Sequence, residues 1–168
     1  MVSPIGRWLR HLTTGTLARR RAFPLHAMEA IENAIRACEK THAGEIRFAL
    51  DTALSLSELW RGVTPRERAE EAFAKLRVWD TRYNNGVLIY VLIADRDVEI
   101  VADRGVGAGR VPAAEWEACC RVMEAHFARG NFRDGAVAGI RAVAEVLARH
   151  PPERADVGNE LPDAPALL

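Results

Sequence analysis

Hydrophobic positions sort the chain into helical and extended stretches. Met28, Ile31, Ile35 and Cys38 recur at helical spacing, predicting one apolar face of a helix that Pro24 opens and that ends by Gly44. Glu45-Ile46-Arg47-Phe48-Ala49-Leu50 then alternates strictly, which predicts a strand with one partly wetted face. Thr64-Pro65-Arg66-Glu67 combines a threonine cap, a first-turn proline and a glutamate that completes a capping box. Ala69, Phe73 and Leu76 carry the apolar face of that helix towards Trp79. Residues 86–94 form an unbroken apolar run rich in β-branched residues, the pattern of a central strand covered on both faces. Ala94-Asp95-Arg96-Asp97 turns the chain, and Val98-Glu99-Ile100-Val101-Ala102 returns as a hairpin arm. Pro112 opens a helix carrying Trp116, Cys120, Met123 and Phe127, which Gly130-Asn131 breaks. A last helix shows Ala136, Ile140, Val143 and Leu147 before Pro151-Pro152 stop it.

A strand–helix–strand unit favours a parallel pair with a right-handed crossover, and the hairpin adds an antiparallel third strand. The expected fold is α/β: a three-layer αβα sandwich with a small mixed sheet and helices on both faces. Residues 23–150 form the expected domain, preceded by a basic segment, 1–22, and followed by an acidic, proline-containing tail, 151–168, expected to lie extended on the domain or to move freely.

Charge sharpens this division. The 168 residues carry 23 basic and 23 acidic side chains, a balance that argues against a broadly basic nucleic-acid binder. Yet residues 1–26 hold five arginines and no acid, beside Trp8, Leu9 and Leu12, a composition suited to a peripheral contact with an anionic membrane. No apolar run is long enough to cross a membrane, and arginines interrupt any secretory core, so the default compartment is the cytoplasm. Cys38, Cys119 and Cys120 make no disulfide framework and are read as core residues.

Strand directions gather polar residues at two ends of the sheet. One end is expected to hold Asp80, Asn84, Asn85, Asp103, Arg104 and Glu45, and the other Asp51, Asp95, Arg96 and Asp97. Asp, Asn and Glu oxygens suit a hard cation, Ca²⁺ or Mg²⁺, so Asp80, Asn85, Asp103 and Glu45 are candidate metal ligands. Arg104 is a candidate anion-binding group. The same residues also read as ordinary turn chemistry and surface pairs. The glycine-rich segment 104–110 lacks a phosphate-loop ending, and no nucleotide cofactor is expected. Ser55 and Ser57 lie in an expected loop without a nucleophile-elbow pattern.

Trp79, Asn84-Asn85-Gly86 with the apolar strand, Asp95-Arg96 with the returning arm, and Gly105 together resemble the signature of the TPM domain. The resemblance spans roughly residues 25–150, and Asn84, Asn85, Gly86, Asp95 and Arg96 match its motif. Gly44-Glu45-Ile46-Arg47-Phe48 and Asn159-Glu160-Leu161-Pro162-Asp163 resemble a short bacterial branch of the family. The family includes acid-phosphatase-like proteins of the thylakoid lumen. The resemblance implies an αβα sandwich, divalent-cation binding by loop acids and a weak phosphatase activity. This chain departs from it after the third strand, where Asp103-Arg104-Gly105-Val106-Gly107 stands. The leading expectation is an accessory protein, non-catalytic or weakly catalytic, that binds a divalent cation, a protein partner or both, in assembly or maintenance of a membrane complex. The alternatives are a metal-assisted acid phosphatase, and a membrane-surface module using residues 1–22.

Overall fold

Strand β2 (Gly86–Leu92) is buried at every position, as its continuous apolar run requires. It pairs in parallel with β1 (Glu45–Asp51) and antiparallel with β3 (Asp97–Ala102). A short fourth strand, β4 (Ala166–Leu167), adds in parallel to the far edge of β1, so the order is β3-β2-β1-β4. The computed structural model describes residues 4–107, 109–151 and 158–168. Glu153, Arg154 and Asp156 of the acidic tail therefore lie outside the described residues.

Helices cover both faces, giving the αβα sandwich. Alternation along the strands separates two cores. Ile46, Phe48, Leu50, Val87, Ile89 and Val91 face α3 (Leu25–Cys38), α6 (Ala113–Ala128) and α7 (Phe132–Arg149). Ala49, Leu88, Tyr90 and Leu92 face α4 (Leu56–Trp60) and α5 (Pro65–Lys75). Each large apolar side chain so buried contributes about 1.5–3 kcal/mol. The capping box on α5 forms as expected: Thr64 N–H donates to Glu67 Oε2 at 2.8 Å, and Glu67 N–H to Thr64 Oγ1 at 3.2 Å.

Several local expectations need correction. Strand β1 is covered on both faces, with Arg47 its one half-exposed position, because Leu161 of the tail joins the core on its second face. Helix α5 stops at Lys75 instead of reaching Trp79: Arg77 turns left-handed (φ 55°), and Trp79 is half-exposed beneath its guanidinium. On α6 the buried cysteine is Cys119, one position earlier than the heptad-like spacing indicated, while Cys120 lies at the core margin. Ser55 caps a helix, α4, in a second capping box with Glu58.

The basic segment 1–22 contains two helices, α1 (Pro4–Thr13) and α2 (Thr16–Ala22). Helix α1 is tied to the domain by polar contacts, its His11 ring fully buried against Asp95. From Gly158 onward the tail lies along the domain, and Leu168 N–H donates to Leu50 C=O at 3.0 Å.

Candidate functional site

Residues before β2 and after β3 meet at one end of the sheet. Asn84 adopts a left-handed conformation (φ 53°), and its C=O accepts Gly105 N–H at 2.8 Å. A Cβ on Gly105 would strike the main-chain carbonyls of Tyr83 and Asn84, and one on Gly86 would strike the Val78 carbonyl. These two glycines are demanded by close main-chain approach. Asn85 is buried: its N–H donates to Thr81 Oγ1 at 3.0 Å and its Nδ2 to Ala43 C=O. Much of the Asn84-Asn85-Gly86 and Gly105 signature is therefore a lock between two loops.

The expected polar groups gather here in part. Arg104 Nη2 donates to Asn84 Oδ1 at 3.1 Å, so its guanidinium is engaged with an amide. Asp103 Oδ1 accepts Arg104 N–H at 2.7 Å, while Asp103 Oδ2 and Asn85 Oδ1 are buried without a hydrogen-bond partner. Asp80 does not join them: it is largely exposed and paired with Arg77 at 2.7 Å. Glu45 is buried and turned to the tail, its Oε2 accepting the N–H groups of Glu160 (3.1 Å) and Leu161 (3.0 Å). The four expected metal ligands thus do not converge, and no group of three or more His, Cys, Asp or Glu that could hold a metal occurs among the described residues. The two partnerless oxygens fit a hard cation only if main-chain carbonyls and water complete a shell of about six to eight oxygens.

Glu39 and Asp163 belong to this end too, although neither is among the residues that strand direction gathers there. Glu39 Oε1 accepts Ile46 N–H at 3.0 Å. Burial, with Glu45 and Asp163 nearby, pushes its carboxyl up to about 8. Asp163 accepts Asn159 Nδ2 at 2.7 Å and Arg36 Nε at 3.2 Å, and Arg47 clasps the carbonyls of Pro162 (2.6 Å) and Ala164. The Asn159–Asp163 segment is a strap held by polar contacts.

The opposite end holds Asp51, Asp95, Arg96 and Asp97, as the strand directions require. Asp95 Oδ2 lies 2.9 Å from Arg7 Nε and 3.1 Å from His11 Nε2, and Oδ1 lies 3.2 Å from Arg10. His11 Nδ1 accepts Leu54 N–H at 2.9 Å, so Nε2 is the ring nitrogen that carries the proton in the neutral imidazole, close to Asp95 but not hydrogen-bonded to it. Arg96 takes the left-handed turn position (φ 55°). Buried Asp51 accepts Tyr90 O–H at 2.9 Å and Arg68 Nη2 at 2.7 Å, and burial beside Asp51 holds the Tyr90 phenol protonated. The signal for this last contact was present: a tyrosine inside an apolar strand needs a buried acceptor.

The family model of the TPM domain matches residues 23–146. The chain belongs to the TPM-domain family. Among solved structures, this TPM domain is similar to the BA42 protein of the psychrophilic bacterium Bizionia argentinensis, with 31% identity, TM-score 0.73, and 85% of this chain and 93% of that one covered. It shares its fold with the N-terminal domain of a P. gingivalis protein (21% identity, TM-score 0.57, 78% of this chain and 82% of that one covered). It also shares the fold of an N-terminal domain from Corynebacterium glutamicum (13% identity, TM-score 0.53, 82% and 81% covered). No protein of curated function matches the chain.

Proposed function

We propose that this TPM-domain chain is a non-catalytic accessory protein that rests on an anionic membrane surface through α1 and α2 while its domain holds a protein partner. One observation carries the reading. Leu9, Leu12, Leu17 and Leu25 are 61%, 61%, 60% and 82% exposed, on helices that stand beside Arg19, Arg20 and Arg21. None of those three arginines is ion-paired among the described residues. Exposed leucines are unfavourable in water and favourable at the headgroup boundary, where each arginine adds about 1 kcal/mol on an anionic leaflet. Trp60, exposed and set edge-on to Trp8 at 6.2 Å, adds an aromatic suited to the same boundary. Among the described residues no helix is long and apolar enough to cross a membrane.

The polar groups support binding over catalysis. Burial pushes the Cys119 and Cys120 thiols up to about 11 and about 12, away from the reactive thiolate. Ser55 is engaged in its capping box and His11 between Leu54 and Asp95. The test is co-sedimentation of the full chain with vesicles of phosphatidylserine and phosphatidylcholine, and with phosphatidylcholine alone. The reading expects binding to the anionic vesicles that Leu12→Asp with Leu17→Asp reduces about tenfold. Equal partitioning of the variant, or of the two vesicle types, overturns it.

A second reading places a Ca²⁺ or Mg²⁺ ion by the partnerless Asn85 and Asp103 oxygens. Calorimetric titration with either ion tests it: absence of heat, or heat unaltered by Asp103→Ala, removes it. Metal-assisted phosphatase chemistry requires in addition that Arg104 leave Asn84 for a phosphate, and release of phosphate from an aryl phosphate, lost in Arg104→Ala, is its signature.

A further inference from the structure

The sheet ends on β3, and the outer edge of that strand borders a cleft. Asp103 N–H donates to Gly86 C=O, and the register then gives Asp97, Glu99 and Val101 the main-chain bonds to β2. The N–H and C=O groups of Val98, Ile100 and Ala102 consequently point away from the sheet. Two long side chains reach this row from neighbouring helices. Arg66 Nη1 donates to Ile100 C=O at 2.7 Å, and Glu124 Oε1 accepts Val98 N–H at 3.4 Å. One supplies a donor and the other an acceptor, the two groups that an added strand would bring. Both sit at the ends of flexible stems, so they protect the edge without closing it.

The cleft beside this edge has a volume of about 820 Å³ and runs between β3 and α6, with Val111 and Trp116 among its lining. Its charge is one-sided. Asp97, Glu99, Glu117 and Glu124 line it against Arg66 and Arg121. Those two arginines already lie near acids, Arg66 beside Glu70 at 2.9 Å and Glu99 at 3.6 Å, and Arg121 beside Glu117 at 3.6 Å. Asp97 and Glu124 have no ion-pair partner among the described residues, and Asp97 Oδ1 is buried without a hydrogen bond. Burial, reinforced by Glu99, Glu124 and Asp95 and only partly offset by Arg7, pushes the Asp97 carboxyl up to about 6.

We propose that this cleft is a strand-addition site for an extended, basic segment of a partner protein. The segment pairs its main chain with Val98, Ile100 and Ala102 in place of Arg66 and Glu124, and lays a lysine or arginine against Asp97 and Glu124. Main-chain pairing supplies affinity in such complexes, and the alternate side chains supply selectivity. A second copy of this chain is a poor occupant, because pairing β3 with β3 brings the acids of both edges together. The inference stands apart from the membrane reading: failure of the vesicle experiment leaves it untouched.

Fluorescence anisotropy tests it, with the full chain titrated into a short labelled peptide that alternates valine with lysine and into a control that alternates valine with glutamate. The lysine peptide should bind at least about tenfold more tightly, and Glu124→Lys should weaken it by about the same factor. On binding, the Ile100 and Ala102 amides should become protected from hydrogen exchange. Ala102→Pro removes one outward N–H and spares the β2 ladder, so it should also weaken binding. Should the proline variant not fold, Asp97→Asn provides the independent reduction. Equal affinity for the two peptides, or affinity unchanged in both Glu124→Lys and Asp97→Asn, overturns the proposal. A dimer in sedimentation equilibrium that Ala102→Pro dissolves overturns it in favour of a second copy.

Discussion

Arg7 Nε lies 2.9 Å from Asp95 Oδ2, joining the first helix to the turn between β2 and β3. Arg10 and His11 converge on the same carboxylate, whose side chain is only 10% exposed. Removing that charge leaves a buried imidazole and two guanidinium groups without their acceptor. Asp95→Ala should lower stability by about 2 kcal/mol. Urea denaturation measures the loss, and faster hydrogen exchange along α1 would locate it.

The lock between the Asn84 and Gly105 loops makes a second prediction. A methyl group at residue 86 meets the Val78 carbonyl and one at residue 105 meets the Asn84 carbonyl, and main chain cannot step aside cheaply. Gly86→Ala and Gly105→Ala should each cost roughly 2–4 kcal/mol. Gly15→Ala, where nothing lies within 4 Å, is the control and should cost less than about 1 kcal/mol, the worth of its place at the N-cap of α2. Calorimetric melts separate the three.

Glu39 sets a pH dependence. Its carboxyl holds a proton more tightly folded than unfolded, rising from 4.5 to about 8. Stability from this group is complete below the ordinary carboxyl range and is lost as pH climbs through about 8. Asp97 acts with the same sign over a lower window, from 3.8 to about 6. The urea midpoint should therefore fall between about pH 4 and about pH 8. Glu39→Gln, which keeps an oxygen for Ile46 N–H, should flatten the upper part of that fall.

Arg47 holds the strap at the β1 edge through the carbonyls of Pro162 and Ala164. Arg47→Ala should loosen β4 at a cost of about 1–2 kcal/mol. The Leu168 amide, bonded to Leu50 C=O at 3.0 Å, should then exchange faster while amides of β2 do not.

Periodicity made the central elements legible. The short, β-branched apolar run 86–94 reads as a covered strand, which the structure places at Gly86–Leu92, and Thr64-Pro65 with Glu67 reads as a helix start. On α6 the adjacent and equally apolar Cys119 and Cys120 cannot be told apart by pattern alone; the first is buried and the second packs at the core margin. The first sheet end was half legible: strand direction brought Asn84, Asn85, Asp103 and Arg104 together, but local pairing took Asp80 to Arg77 and a distant tail took Glu45. Contacts of the Arg7–Asp95 and Glu45–Leu161 kind join polar groups far apart in the chain, and polar groups carry no period that announces a partner. A two-residue strand such as β4 is likewise too short to leave a pattern.

Helix α1 has a consequence for the rim formed by the carboxyl ends of β1 and β2. In open α/β sheets that crevice is where ligands lodge. Here the chain furnishes the occupant from within: Arg7, Arg10 and His11 stand where a cationic guest would, neutralising Asp95 before any visitor arrives. The rim that open α/β sheets offer to a ligand is filled here by the protein's own first helix.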